Sequence, residues 1–179
     1  MLAALLIEVD IDGNIWVSRE VCESGLTLTE AAKRVSLLAD CKRVEFAVCS
    51  PDLWNRRQDS GRSGFEIMQS INGMPPMRAA DDRRIAGWRI LREYLAAKGG
   101  HPFIKISSRC VNLISSLPAL LYDSKKTEDA SSSPHSITHS PEALRYAVMS
   151  RAFFSPPEAD SEPALLKNFR MPKKHSIFE

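Results

Sequence analysis

Apolar residues are packed densely at the start of the chain, in "LAALLIEV" (2–9) and "NIWVSREV" (14–21), and the two runs meet through Asp12-Gly13. Runs rich in strand-forming residues around an Asp-Gly pair predict a β-hairpin, because the glycine accepts the positive φ that a tight turn demands. The period then changes. In "TLTEAAKRVSLLAD" Ala31, Val35 and Leu38 recur at helical spacing, and Thr27 with Glu30 forms a capping box, so a helix is predicted over about 28–39. "RVEFAVCS" (43–50) predicts a short apolar strand that stops at Pro51, and 51–62 reads as a loop. Ser63 with Glu66 makes a second capping box for a short helix, "GFEIMQSI", which Gly73 and Pro75-Pro76 break.

The longest helix is predicted from Asp81 to about Ala97, with Ile85, Trp88, Ile90, Leu91 and Leu95 as its buried stripe and Gly99-Gly100 at its end. "PFIKIS" predicts another strand, and "CVNLISSLPALLYD" a short helix interrupted at Pro118. Residues 124–140 read as a serine-rich loop and 141–151 as the final helix, with Ser140 as N-cap and Pro141 as first helical residue. Past that point Pro156, Pro157, Pro163, Pro172 and a basic ending predict a mobile tail over 152–179. A hairpin followed by strands with helical crossovers implies an α/β fold, a mixed sheet with helices on both faces.

Composition narrows this only slightly. The 179 residues suffice for one ordinary domain with a sizeable core, and 44% hydrophobic with 26% charged residues are globular values. Twenty-four basic against 22 acidic residues leave a formal charge of +2, so a nucleic-acid surface would have to be a local patch. The four cysteines, Cys22, Cys41, Cys49 and Cys110, have no CxxC spacing, which speaks against a zinc knuckle or disulfide framework and fits a reducing compartment. The apolar start is too short for a membrane span and lacks the basic lead of a signal peptide. Phosphate-loop, dinucleotide, HExxH and GxSxG motifs are all missing, so ATP hydrolysis and hydride transfer have no support here.

Three places could carry chemistry. In "PHSITHSPEALRYAVMSR" the predicted cap puts Glu142 in the first helical turn with His139 just before it, and a carboxylate and an imidazole converging there can hold a divalent ion. The plainer reading is a favoured first-turn glutamate beside a solvated histidine. In "VCSPDLWNRRQDSGRSG" Asp52 follows a strand at its carboxyl end, where open α/β sheets bind ligands. Trp54, Arg56, Arg57 and Arg62 beside it combine stacking and cationic groups suited to a phosphate backbone, or else form a core tryptophan and a solvated loop. In "RAADDRRIAGWRILREYL" Asp81 and Asp82 could cap the helix, while Arg83, Arg84, Arg89 and Arg92 line its exposed side. Tyr122-Asp123 and Glu128-Asp129 add acids near the His139 loop.

With these segments in hand, the chain resembles the C-terminal nuclease domain of large terminase subunits, the DNA-packaging proteins of tailed bacteriophages. The matching blocks are "SPDLWNRRQDSGRSGFEIM", "MRAADDRRIAGWRILREYL", "CVNLISSLPALLYD" and "PHSITHSPEALRYAVMSR", in order, with "EVDIDGNIWVSREV" upstream; residues 3–151 are covered. The resemblance implies a ribonuclease-H-like fold, a five-stranded mixed sheet with helices on both sides. It implies a two-metal-ion endonuclease using Mg²⁺ or Mn²⁺ on double-stranded DNA, with Asp52 and Glu142 catalytic and Asp52, His139 and Glu142 as metal ligands. Arg56, Arg57, Arg62, Arg83 and Arg84 would then contact DNA.

Glu142 stands where the family has aspartate, and the second acidic position falls on Asp52 or, in the alternative alignment, on Ser50. The family's first catalytic aspartate lies on a strand before the segment matched by "LAALLIEVD", and the motor ATPase also precedes the nuclease, so a truncated or split prophage gene is expected. The partners implied are the portal protein, the small terminase subunit and a separate ATPase chain, in the cytoplasm of a bacterial host. The competing expectation is a catalytically inactive remnant that only binds DNA or packaging partners.

Overall fold

The structure is a computed structural model that describes residues 1–39, 43–58, 61–97 and 102–150. The expected tail over 152–179 and the Gly99-Gly100 helix end lie outside the described residues. At the front, β1 (Leu2–Val9) and β2 (Ile15–Glu23) pair antiparallel as the hairpin pattern predicts, with a bulge between Leu6 and Ile7. Asp10 builds the turn: its carboxylate accepts from the backbone N–H of Asp12 and Asn14 and from the Asn14 side chain, while Gly13 takes φ +83°. These bonds hold the Asp10 carboxyl below its usual range, the Asn14 side-chain bond contributing most.

Helix α1 (Leu28–Ala39) begins on the Thr27–Glu30 capping box, in which the Glu30 carboxylate accepts from the Thr27 N–H and hydroxyl and the Glu30 N–H donates to Thr27 Oγ1. The apolar run at 43–50 forms a strand only over β3 (Ala47–Cys49), followed by a 3-10 turn at Pro51–Trp54. Helix α2 (Gly64–Gln69) starts on the complete Ser63–Glu66 capping box. Strand β4 (Met77–Ala79) has no counterpart in the sequence reading; three residues are too few to show a period. Helix α3 runs over Arg84–Leu95, shorter than the predicted 81–97, with Arg83 as its N-cap. Asp81 does not cap it; its carboxylate is turned onto Arg83. Gly87, Trp88, Leu91 and Tyr94 form its buried face, and Leu95, expected inside, is 41% exposed. Strand β5 (Ile104–Ile106) and helix α4 (Val111–Ser116) follow as predicted, the helix stopping just before Pro118.

The last helix corrects the sequence reading most. Helix α5 occupies His135–Met149, with Pro134 as N-cap and Pro141 inside it, rather than starting at Pro141. Its inward positions, Thr138, Pro141, Leu144, Arg145 and Val148, keep a helical period that the polar Thr138 and Arg145 disguise in the sequence. Ser140, expected to cap, is buried, its hydroxyl 3.4 Å from the Cys22 thiol.

The sheet is mixed but lies in two pieces, where one sheet was expected. In the first, β1 pairs with β2 and β2 pairs in parallel with β5; in the second, β3 and β4 pair in parallel. Strand β1 therefore forms an edge of its sheet. The main core lies between that sheet and α3, α4 and α5, around Ile15, Val17, Trp88, Leu113, Leu144 and Val148. A smaller apolar cluster joins α1 and α2 around Ala31, Ala32 and Met68, and α1 also packs on β1 and β2. Helix α5 touches both β1 and β3, and so bridges the two sheets. No described helix is long and apolar enough to cross a membrane.

Candidate functional site

Because α5 starts a turn and a half before Pro141, His135, His139 and Glu142 fall at i, i+4 and i+7 on one side of a continuous helix. The Glu142 carboxylate is committed. One oxygen accepts from Arg84 Nη1, and the other accepts from Arg145 Nε at 2.7 Å and pairs with Nη2 at 2.6 Å. Arg84 extends the cluster: its Nε donates to both oxygens of Asp129 at 3.1 Å and its Nη2 to the Ala130 carbonyl at 2.9 Å. Asp129 Oδ1 also accepts from the Trp88 indole N–H at 3.0 Å. Two guanidinium groups thus face two carboxylates, so the formal charges cancel and no net negative charge is left there to attract a metal ion.

Arg145 lies deep in this cluster, only 1% exposed, with its guanidinium over the rings of Trp88 and Tyr146 at 5.5 and 4.5 Å. Glycine at position 87 makes room: a Cβ there would come within 2.8 Å of Arg145 Cγ. Nη1 of Arg145 is buried without a hydrogen-bond partner among the described residues, so its charge depends on Glu142 and the aromatic faces. His139 is half-buried, and burial pushes its imidazole below the ordinary 6.5, aided by the N-terminal ammonium and His135 and opposed by Glu142.

Asp52 stands elsewhere, exposed in the 3-10 turn that leaves the carboxyl end of β3, with the Ser50 hydroxyl 3.5 Å from its carboxylate. That position fits the sequence expectation, but no described contact brings Asp52 to His139 or Glu142. Among the described residues, no group of three or more His, Cys, Asp or Glu is placed to hold a metal ion. An Mg²⁺ or Mn²⁺ ion at Glu142 would have to displace Arg84 or Arg145.

The expected DNA-contacting arginines divide into two groups. Arg83 is paired with Asp81, Arg84 with Asp129 and Glu142, and Arg89 with Glu128. The exposed side of α3 is therefore largely neutralised by its own neighbours. Arg56, Arg57 and Arg62 remain exposed on the corner between β3 and α2, where Arg56 and Ser63 form a backbone bridge. Arg62 Nη2 donates to the Glu66 carbonyl. Trp54 in the same corner stacks on Phe65, centroids 4.9 Å apart, so one of its faces is already covered. Asp123 accepts from the N–H groups of Lys125 and Lys126 and shapes a turn. Sequence reasoning missed Arg145, Gly87 and His135. The HxxxH spacing of His135 and His139 was visible, but a loop reading of 124–140 hid its meaning. Comparison with protein-family models, curated proteins and solved structures finds no match.

Proposed function

We propose that this chain is a terminase-nuclease-like domain in a form that binds DNA without cutting it. The observation that carries this reading is the Glu142 carboxylate held between Arg84 and Arg145. A two-metal mechanism needs carboxylates free to coordinate, and the charge of a carboxylate paired with two guanidinium groups is already neutralised by them. The mixed α/β character of the fold, with α5 packed on both β1 and β3, is the part of the ribonuclease-H-like comparison that supports this reading. DNA contact is assigned to Arg56 and Arg62 on the exposed β3–α2 corner, since Arg83, Arg84 and Arg89 are engaged by acids. Phosphate contacts of this kind give sequence-independent, salt-sensitive affinity.

The test uses the full chain with duplex DNA and supercoiled plasmid. Binding is expected at low salt, weakening as salt rises and weakening further in an Arg56→Ala/Arg62→Ala variant, with no nicking in Mg²⁺ or Mn²⁺. Failure to bind at low salt would remove the DNA reading. A second reading, metal-dependent cleavage, is favoured by the placement of exposed Asp52 at the carboxyl end of β3. Nicking that depends on metal and disappears in both Asp52→Asn and Glu142→Gln would establish it in place of the first.

A further inference from the structure

His135 and His139 stand one turn apart near the start of α5. Their rings lie side by side, centroids 6.1 Å apart and planes within 25° of each other, with His135 exposed and His139 half-buried. Two histidines at i and i+4 share one helix face, the spacing at which both imidazoles can bind a single zinc-type ion. We propose that this pair is a chelating site for a divalent transition-metal ion, with Zn²⁺ as its representative.

The chemistry separates this site from a magnesium centre. Imidazole nitrogen suits Zn²⁺, Cu²⁺ and Ni²⁺, whereas Mg²⁺ takes oxygen ligands and keeps its water. The second ligand, His135, comes from the start of α5 and is not among the metal ligands that the terminase resemblance implies. The support is rigid: on the inner side of the same turns Thr138, Ser140 and Pro141 are buried, and Thr138 Oγ1 donates to the His135 carbonyl. Chelation therefore orders two side chains and no backbone, closing the rings by side-chain rotation until a nitrogen of each reaches the ion at about 2.0–2.1 Å. Glu142 follows on the same face but is held by Arg84 and Arg145, so water or an incoming ligand fills the remaining positions. The site stands whether or not the domain cuts or binds DNA.

The test is a Zn²⁺ titration of the untagged full chain at neutral pH against a chromophoric chelator. His135→Gln and His139→Gln are each expected to weaken binding at least about tenfold, because either change destroys the chelate. Millimolar Mg²⁺ should not compete. Unchanged affinity in either variant would overturn the proposal. A second measurement needs no substitution: Zn²⁺ should protect His135 and His139 together from acylation by diethyl pyrocarbonate, read by peptide mass. Protection absent there, or equal at His101 and His175, would equally overturn it.

Discussion

Glu142 and Arg145 are neighbours on α5 and partners in the interior, and most of the risk in this molecule is concentrated in that pair. Arg145 is almost wholly buried, so removing its carboxylate leaves an uncompensated charge in a low-dielectric setting. Glu142→Ala should therefore destabilise the fold by about 3–5 kcal/mol, measured by denaturant unfolding, far more than an exposed surface pair would cost. Gly87 tests the same pocket from the opposite wall. An added Cβ would lie 2.8 Å from Arg145 Cγ and 2.9 Å from Cδ, so Gly87→Ala should cost about 1–3 kcal/mol by overpacking, despite alanine's better helix propensity. A stability unchanged or raised in Gly87→Ala would mean that Arg145 does not fill this space. At this scale Glu142 was visible in the sequence as a chemically active residue, but its partners were not. Arg84 lies 58 positions away, and nothing in local spacing predicts that meeting.

Helix starts separate what local chemistry specifies from what it does not. The Thr27–Glu30 and Ser63–Glu66 boxes are written three residues apart, and both form as read. Helix α4 has no such signal: Cys110 at its N-cap makes no side-chain cap bond. Its first N–H groups are met from β2, where the Glu20 carboxylate accepts from the Asn112 N–H and side chain and from the Leu113 N–H at 2.7, 3.0 and 3.0 Å. Glu20→Ala should then cost about 1 kcal/mol, comparable to Ser63→Ala at a local cap, and thermal melting of the two variants checks it. A loss at Ser63 with none at Glu20 would show the long-range cap to be idle. Helix α5 shows the reverse error. "SPE" reads as cap, first residue and first-turn acid, yet the helix already exists there, because Thr138, Ser140 and Pro141 find buried places against the rest of the fold.

For the whole molecule, acid is the condition to which the charges respond. His139 holds its proton less firmly in the fold than the ordinary 6.5, so the unfolded chain binds more protons as pH falls through that value. Stability should decline on that descent, and His139→Gln should flatten the decline between about pH 7 and pH 5 in a series of melting curves. The carboxyls of Asp10, Glu30 and Glu66 are lowered by hydrogen bonds, chiefly from the Asn14 side chain, the Thr27 N–H and the Ser63 N–H respectively. Their contribution is present above the ordinary carboxylate range and is lost as pH falls further, giving a second acid step that His139→Gln leaves intact. A single step unaffected by His139→Gln would show that the imidazole is not perturbed by folding.

The sequence by itself determined the hairpin, the two capping boxes, the α/β class and the placing of Asp52 behind a strand, because each rests on residues within a few positions of one another. Only the tertiary structure decided that the strands divide into two sheets, that α5 begins at His135, and that Glu142 is bound by Arg84 and Arg145. Those outcomes depend on pairings between distant segments, whose energy comes from burial and opposite charge and leaves no periodic trace along the chain.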